Sequence, residues 1–252
     1  MGFLRKKSAP AASNLRAERA HLINDESDFF ILEAYKSLRT NVMFALAGEE
    51  KSQVILVTSS MQGEGKSTTA VNLAISFALA EKNVVLIDCD LRRPKLDRLL
   101  GLRSRQGLSN VLLDPELLDK ALLNSQHEHL KVMLAGDIPP NPSELLSNKR
   151  MVELLEKLRE RFDYIILDTP PVNVVTDAVV LSPLTDGTVF VVRSGKSERG
   201  IVMRAVEQLS RARARILGFV LNGVQDKGSS RYSHSGYGQD YAYAAARPTG
   251  KK

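Results

Sequence analysis

The chain has 252 residues, 43% hydrophobic and 25% charged, a balance that fits one soluble α/β domain and excludes collagen-like, disulfide-scaffold and wholly disordered classes. Its single cysteine, Cys89, excludes an intrachain disulfide and fits a reducing cytosol, and no apolar run approaches the roughly 20 residues that cross a bilayer. With 35 Lys and Arg against 29 Asp and Glu, the formal charge of +6 suits phosphate ligands or an acidic surface, while the absence of base-reading motifs argues against a nucleic-acid partner.

In chain order, residues 1–25 form a basic arm expected to be flexible. It opens without the apolar core of a secretory signal, and Lys6 stands where a myristoylation signal needs Ser or Thr. The next segment, residues 26–226, reads as one domain. Phe29, Phe30, Leu32, Leu38, Val42, Phe44 and Leu46 recur at helical spacing and predict a leading helix outside the sheet. Short β-branched runs then predict strands at 53–58, 84–87, 164–167, 188–192 and 216–221, with a weaker one at 131–134. Helices are predicted between them at 67–80, 115–123, 143–161 and 197–212. Continuous apolar strands alternating with helices imply a mainly parallel sheet covered on both faces, a three-layer α/β/α domain.

The first strand runs into Ser60-Met61-Gln62-Gly63-Glu64-Gly65-Lys66-Ser67-Thr68, which opens a helix. Gly63 and Gly65 let the backbone curl so that several N–H groups converge where the helix N-terminus adds partial positive charge, an arrangement suited to a polyphosphate. Residues 62–68 are the candidate nucleotide cradle. Lys66 is placed for the β- and γ-phosphates, Ser67 for a magnesium ion and Thr68 for the α-phosphate. Ser60 replaces the first glycine of the full phosphate-loop string. A dinucleotide fingerprint is disfavoured because Thr68 holds its third glycine position.

Three carboxylates end strands at the same edge of the sheet. Asp88 and Asp90 follow the second strand, and Asp168 follows the strand at 164–167. Ligands of α/β sheets bind at that edge, and with a phosphate loop present Asp168 is the natural magnesium partner. The plain alternative is that all three cap loops. Asp90 could also pair with Lys66 in the absence of ligand, and Arg92 or Arg93 could bridge to nearby acids. Beyond the last strand, Asn222 beside Gly223 is a normal turn residue. Residues 227–252 form the last segment. Between Gly228 and Tyr243, 11 of 16 residues are Gly, Ser or Tyr, too little apolar surface to offset chain entropy, so a disordered tail is expected.

Taken together, residues 60–68, 84–92 and 165–171 resemble the Walker A, Walker A′ and Walker B boxes of the bacterial protein tyrosine kinases. Asn141-Pro142-Ser143-Glu144-Leu145-Leu146 and the leading segment 33–41 also match. The resemblance implies a P-loop kinase domain that transfers phosphate from ATP with Mg2+. Lys66 and Ser67 would serve the cradle and metal, Asp90 and Asp168 would hold magnesium or its waters, Asp88 would polarise the tyrosine hydroxyl, and Asn222 would bond the adenine. It implies autophosphorylation in trans of Tyr232, Tyr237, Tyr241 and Tyr243. Glu33, Lys36 and Arg39 resemble the family's Glu-x-x-Arg-x-x-Arg oligomerisation box, with Lys at its middle position, and imply a homo-oligomer, in some members a ring. The plain alternative is a surface ion pair worth a few tenths of a kcal/mol.

The same resemblance implies a transmembrane activator that regulates polysaccharide chain length, a tyrosine phosphatase, a cytoplasmic position at the membrane through that activator, and a role in capsule or exopolysaccharide synthesis. Two departures stand out. Gln62 replaces a usual Pro, and Lys36 cannot reproduce an Arg fork. The competing reading is a nucleotide-switched positioning ATPase of the partition and septum-placement type. Those proteins carry a signature lysine five residues before the Walker lysine, where this chain has Met61.

Overall fold

The computed structural model describes residues 19–24, 26–48 and 52–224; the predicted tail and all but the end of the basic arm lie outside these. Helix α1 (Phe29–Ala45) begins where the Asp28 carboxylate accepts the Phe30 N–H at 2.8 Å. There follow β1 (Gln53–Ser59), α2 (Lys66–Ala78), β2 (Val84–Asp88), α3 (Leu96–Leu100), α4 (Leu108–Leu113) and α5 (Leu118–Ala121). Next come β3 (Leu122–Asn124), β4 (Leu130–Met133), α6 (Pro142–Leu146), α7 (Lys149–Arg159) and β5 (Tyr164–Asp168). The described part ends with α8 (Asp177–Leu181), β6 (Gly187–Arg193), α9 (Arg199–Arg211) and β7 (Ile216–Asn222).

The seven strands lie in the order β3-β4-β2-β5-β1-β6-β7, parallel except for the short β3 paired antiparallel to β4. Strand β1 therefore sits between β5 and β6, and its residues alternate between two cores. Val54 and Leu56 face the layer of α4, α7, α8 and α9, while Ile55 and Val57 face α2. Helix α2 is buried along nearly its whole length, and its Phe77 ring stacks on Tyr164 at 3.9 Å between centroids. Helix α1 packs outside α2 through Val42, Leu46, Leu32, Tyr35 and Leu38, as the leading-helix reading expected.

Several expectations need correction. The predicted helix at 143–161 is two helices, broken at Ser147 and restarted by Asn148, whose side chain accepts the Arg150 N–H. The predicted helix at 115–123 is a 3₁₀ turn, the single turn α5 and the start of β3. Within the stretch assigned to the flexible arm, Leu22 and Ile23 pack on the core while residues 19–21 and 24 stay exposed. Ile23 is buried, and the side chain of the fully buried Asn72 accepts the Ile23 N–H at 2.9 Å and donates to the His21 carbonyl at 2.8 Å. Asn72→Ala leaves that buried N–H without an acceptor and should cost about 1–3 kcal/mol of unfolding free energy. Urea denaturation measures it, and an unchanged midpoint would show that segment 19–24 is held by other contacts.

Candidate active site

Three adjacent strands deliver the site. Register sets Asp168 of β5 opposite Val57 of β1 on one side and Asp88 of β2 on the other. The loop after β1 and the acids after β2 and β5 thus emerge side by side. The loop curls through Gly63 (φ +77°) and Gly65 (φ +98°), both in the left-handed region that favours glycine. A Cβ on Gly63 would stand 2.6 Å from Lys196 Nζ, and one on Gly65 would overlap the Asn222 side-chain amide. The backbone therefore turns through space that side chains would fill.

Lys66, the first residue of α2, sits at the centre with its side chain about one-tenth exposed. Its Nζ lies 3.2 Å from Ser67 Oγ, 3.4 Å from Asp90 Oδ2 and 3.5 Å from Asp168 Oδ1. The pairing of Asp90 with Lys66, left open by the sequence, is present. Burial opposes the lysine charge, but Asp168, Asp90 and Asp88 outweigh it and raise its pKa above the usual lysine value. Asp168 moves upward too, because burial outweighs the help of Lys66 and the Ser67 hydroxyl.

Asp88 is fully buried. Its Oδ2 accepts the N–H groups of Lys95 (3.0 Å) and Leu96 (3.1 Å), and its Oδ1 accepts that of Asp90 (3.1 Å). Burial and the neighbouring Asp168 charge nonetheless push its carboxyl up to about 7. It therefore both fixes the β2–α3 loop, as the capping alternative supposed, and stands ready to exchange a proton near neutral pH.

Asp168 Oδ2 is buried with no hydrogen-bond partner, a costly arrangement for a carboxylate oxygen unless a cation or water completes it. Among the described residues no group of three His, Cys, Asp or Glu is placed to hold a metal by itself. That combination fits magnesium, which takes one or two protein oxygens and fills its other positions with phosphate and water. Ser67, Asp90 and Asp168 are the residues that would hold it.

The remaining candidates fall into three groups. Gln62 and Gly63 are exposed at the loop tip, with their carbonyls accepting from Lys196 Nζ at 3.2 and 3.4 Å, and Arg193 Nη1 adds a bond to Gly63 O at 3.0 Å. Thr68 is half-buried in the first turn of α2. The Asn222 amide donates to the Glu64 carbonyl at 2.9 Å, placing it against the loop rather than merely in a turn. On α1, Lys36 pairs with Glu33 at 2.7 Å on an exposed face, whereas Arg39 turns inward to the Ser76 carbonyl at 2.6 Å. Tyr232, Tyr237, Tyr241 and Tyr243 lie outside the described residues.

Sequence reading missed the acid that Arg92 meets. Arg92 forks onto fully buried Asp177, Nε to Oδ2 at 3.0 Å and Nη2 to Oδ1 at 3.2 Å, and Nη2 also bonds Ser143 Oγ at 3.0 Å. The arginine after Asp90 is thereby tied to the 141–146 segment. It also missed the side chains of the β6–α9 turn, Arg193, Lys196 and Ser197, that close on the phosphate loop.

A family model described as ParA, NUBPL iron-transfer P-loop NTPase, matches residues 50–241. The tyrosine-protein kinase YwqD of Bacillus subtilis (strain 168) is 42% identical over 205 residues, covering 81% of this chain and 85% of that protein. The crystal structure of the chimerical protein CapA2B2 superposes with a TM-score of 0.75 at 35% identity, covering 80% of this chain and 89% of that one. The kinase domain of the Escherichia coli tyrosine kinase ETK also gives 0.75, at 33% identity and 81% and 80% coverage. With likeness of that extent and a lysine set among strand-end acids beneath a glycine loop, the chain belongs to the bacterial tyrosine-protein kinases, on the P-loop NTPase fold.

Proposed function

We propose that this chain is an ATP- and Mg2+-dependent tyrosine autokinase that phosphorylates the C-terminal tyrosine cluster of a neighbouring copy. The observation that carries this reading is Lys66, buried between Asp90 and Asp168 at the mouth of the loop, with one Asp168 oxygen left unpaired. The polyphosphate enters the N–H array of residues 62–68, and Lys66 exchanges its carboxylate partners for the β- and γ-phosphate oxygens. Ser67, Asp90 and Asp168 would hold the magnesium ion, which would supply charge neutralisation at the transferring phosphate.

The tyrosine oxygen forms a bond to the γ-phosphorus as the bond to the β,γ-bridging oxygen breaks and ADP departs. The phenolic proton passes to Asp88. Its carboxyl, raised to about 7, suits that transfer, and Oδ1 accepts one N–H bond and so keeps a lone pair for it. Asn222, at the end of β7 and bonded to the Glu64 carbonyl, would meet the base of the nucleotide. Gly65→Ala should weaken nucleotide binding by about tenfold or more, since it adds both left-handed strain and overlap with Asn222. An unchanged affinity by titration calorimetry would remove the loop from the site.

A tethered tyrosine reaches an effective concentration in the millimolar range, so a weakly bound peptide is still modified. Assembly runs through α1, where Phe30 and Ile31 are 67% and 44% exposed beside the Glu33–Lys36 pair. Successive phosphates, each near −1.5 to −2 charges at pH 7, repel and loosen that assembly. Among the described residues no helix is long and apolar enough to cross a membrane. A transmembrane activator is the proposed partner at the cytoplasmic face, a reading supported by the likeness to the kinase domain of ETK and to CapA2B2. Likeness to CapA2B2 and to other kinases named for capsule systems supports a role in capsule or exopolysaccharide synthesis, with a tyrosine phosphatase resetting the tail.

The test is incubation with Mg-ATP, alone and with the activator's cytoplasmic segment, followed by mass spectrometry. Phosphate on Tyr232, Tyr237, Tyr241 or Tyr243 that vanishes in Lys66→Met supports the kinase. Inorganic phosphate with unmodified tyrosines supports the positioning ATPase instead.

A further inference from the structure

Glu64 lies inside the phosphate loop, and its carboxylate is bonded to the start of that loop and to the β6–α9 turn. The residue is 1% exposed and collects three donors. Ser60 Oγ lies 2.8 and 3.0 Å from its two oxygens, the Met61 N–H donates at 2.8 Å, and Ser197 Oγ donates to Oε1 from the β6–α9 turn. Ser197 is itself fixed by accepting the Arg193 N–H at 2.7 Å. The nearby cations bond elsewhere: Arg193 and Lys196 reach the carbonyls of Gln62 and Gly63.

A buried carboxylate is tolerated when its lone pairs are filled by strong donors, and hydrogen bonds to a charged acceptor are about twice as strong as neutral ones. Here the donors come from two separate stretches of chain. Ser60 and Met61 begin the loop, and Ser197 belongs to the neighbouring turn. The hydroxyl of Ser60, which stands in place of the first glycine of the full phosphate-loop string, is the loop's internal tie. Any shift in loop register breaks all three bonds together.

We infer that Glu64 is a positioning residue for phosphoryl transfer, clamping the start of the phosphate loop to Ser197 of the β6–α9 turn so that the backbone N–H groups are held ready for phosphate. It acts through the loop and touches neither phosphate nor tyrosine. The inference rests on the nucleotide-binding reading of the loop, and its consequence is a pre-set cradle that binds nucleotide without first ordering itself.

The experiment uses the full chain, a fluorescent N-methylanthraniloyl ADP titrated with Mg2+, tyrosine transfer kinetics, and melting without nucleotide. Glu64→Ala should weaken nucleotide binding and raise the KM for ATP about tenfold, roughly the loss of one charge-assisted bond, with kcat within about twofold. Ser197→Ala should weaken binding about threefold and add nothing in the Glu64→Ala background, because the two act as one unit. Glu64→Gln should recover part of the loss, since its amide oxygen still accepts.

Independent, multiplying effects of the two substitutions would overturn the clamp, as would a kcat loss at unchanged KM. Should Glu64→Ala fail to fold, Ser197→Ala and Ser60→Ala decide alone, and unchanged nucleotide affinity in both overturns it. A wild-type chain that binds nucleotide but modifies no tyrosine sinks the kinase reading and leaves the clamp to stand or fall on these affinities.

Discussion

Lys66→Met is expected to reduce tyrosine phosphate transfer by about 10³-fold or more, the scale found when a cation facing the transferring phosphate is removed. Lys66 is the only lysine or arginine within 4 Å of the Asp90 and Asp168 carboxylates among the described residues. Its raised pKa keeps it charged at neutral pH despite burial. Methionine fills much the same volume, so the loss is electrostatic rather than steric.

The same change leaves Asp88, Asp90 and Asp168 without their shared cation. Breaking a buried pair by removing one partner typically costs about 3–5 kcal/mol, because a charge is left uncompensated. Proton uptake relieves that cost. The Tm difference between wild type and Lys66→Met should therefore be largest near pH 8 and shrink towards pH 5, below the value of about 7 to which the Asp88 carboxyl is raised. Asp168→Asn should also abolish transfer, but it removes a buried charge instead of orphaning one, so its Tm should fall less. Transfer by Lys66→Met above a tenth of wild type, with tyrosines still modified, would place the transferring phosphate away from this lysine.

The strands that carry the site were legible because each is a short, continuously apolar run: all seven residues of β1 and all five of β2 are buried. Glycine, lysine and carboxylate at the ends of such runs announce a phosphate site before any coordinates. Helices α3 and α4 were illegible for a physical reason. At five and six residues they complete fewer than two turns, too few to display a helical period. Strand β3 has three residues, none buried, and no alternation to read.

Charge partners distant in sequence were equally hidden. Asp177 lies 85 positions after Arg92, and nothing local marks it as buried. Ile23 falls in the arm on sequence grounds because the adjacent pair Leu22-Ile23 in a polar stretch shows no helical or strand period; its place is set by the Asn72 side chain on α2. Glu64 carried a signal that was readable in hindsight. It is a carboxylate four residues after Ser60 in a tight turn, a spacing at which side chain and chain start meet.

Stability without nucleotide should fall as pH rises from about 4 to about 7, and Asp88 is the main reason. Its carboxyl titrates near 3.8 in the unfolded chain and is pushed up to about 7 in the fold by burial and then by Asp168, against the N–H groups of Leu96 and Lys95 and the Lys66 charge. Between those values the folded state binds more protons than the unfolded state, so the slope of unfolding free energy with pH is negative. A shift of about three pH units corresponds to about 4 kcal/mol for an isolated group, and the upward shift of Asp168 has the same sign. Lys66 contributes a loss only at far higher pH, since its folded value exceeds 10.5. Melting in EDTA at pH 5, 6, 7 and 8 should show a falling Tm in wild type and a flatter profile in Asp88→Asn, which stays neutral throughout. That variant should also lose about 10²-fold in transfer, the typical contribution of a positioned base, together with the rising limb of the pH–rate profile near neutrality. A wild-type Tm independent of pH across this range would mean Asp88 is ionised in the fold as it is in water, and the proton from tyrosine would then need another acceptor.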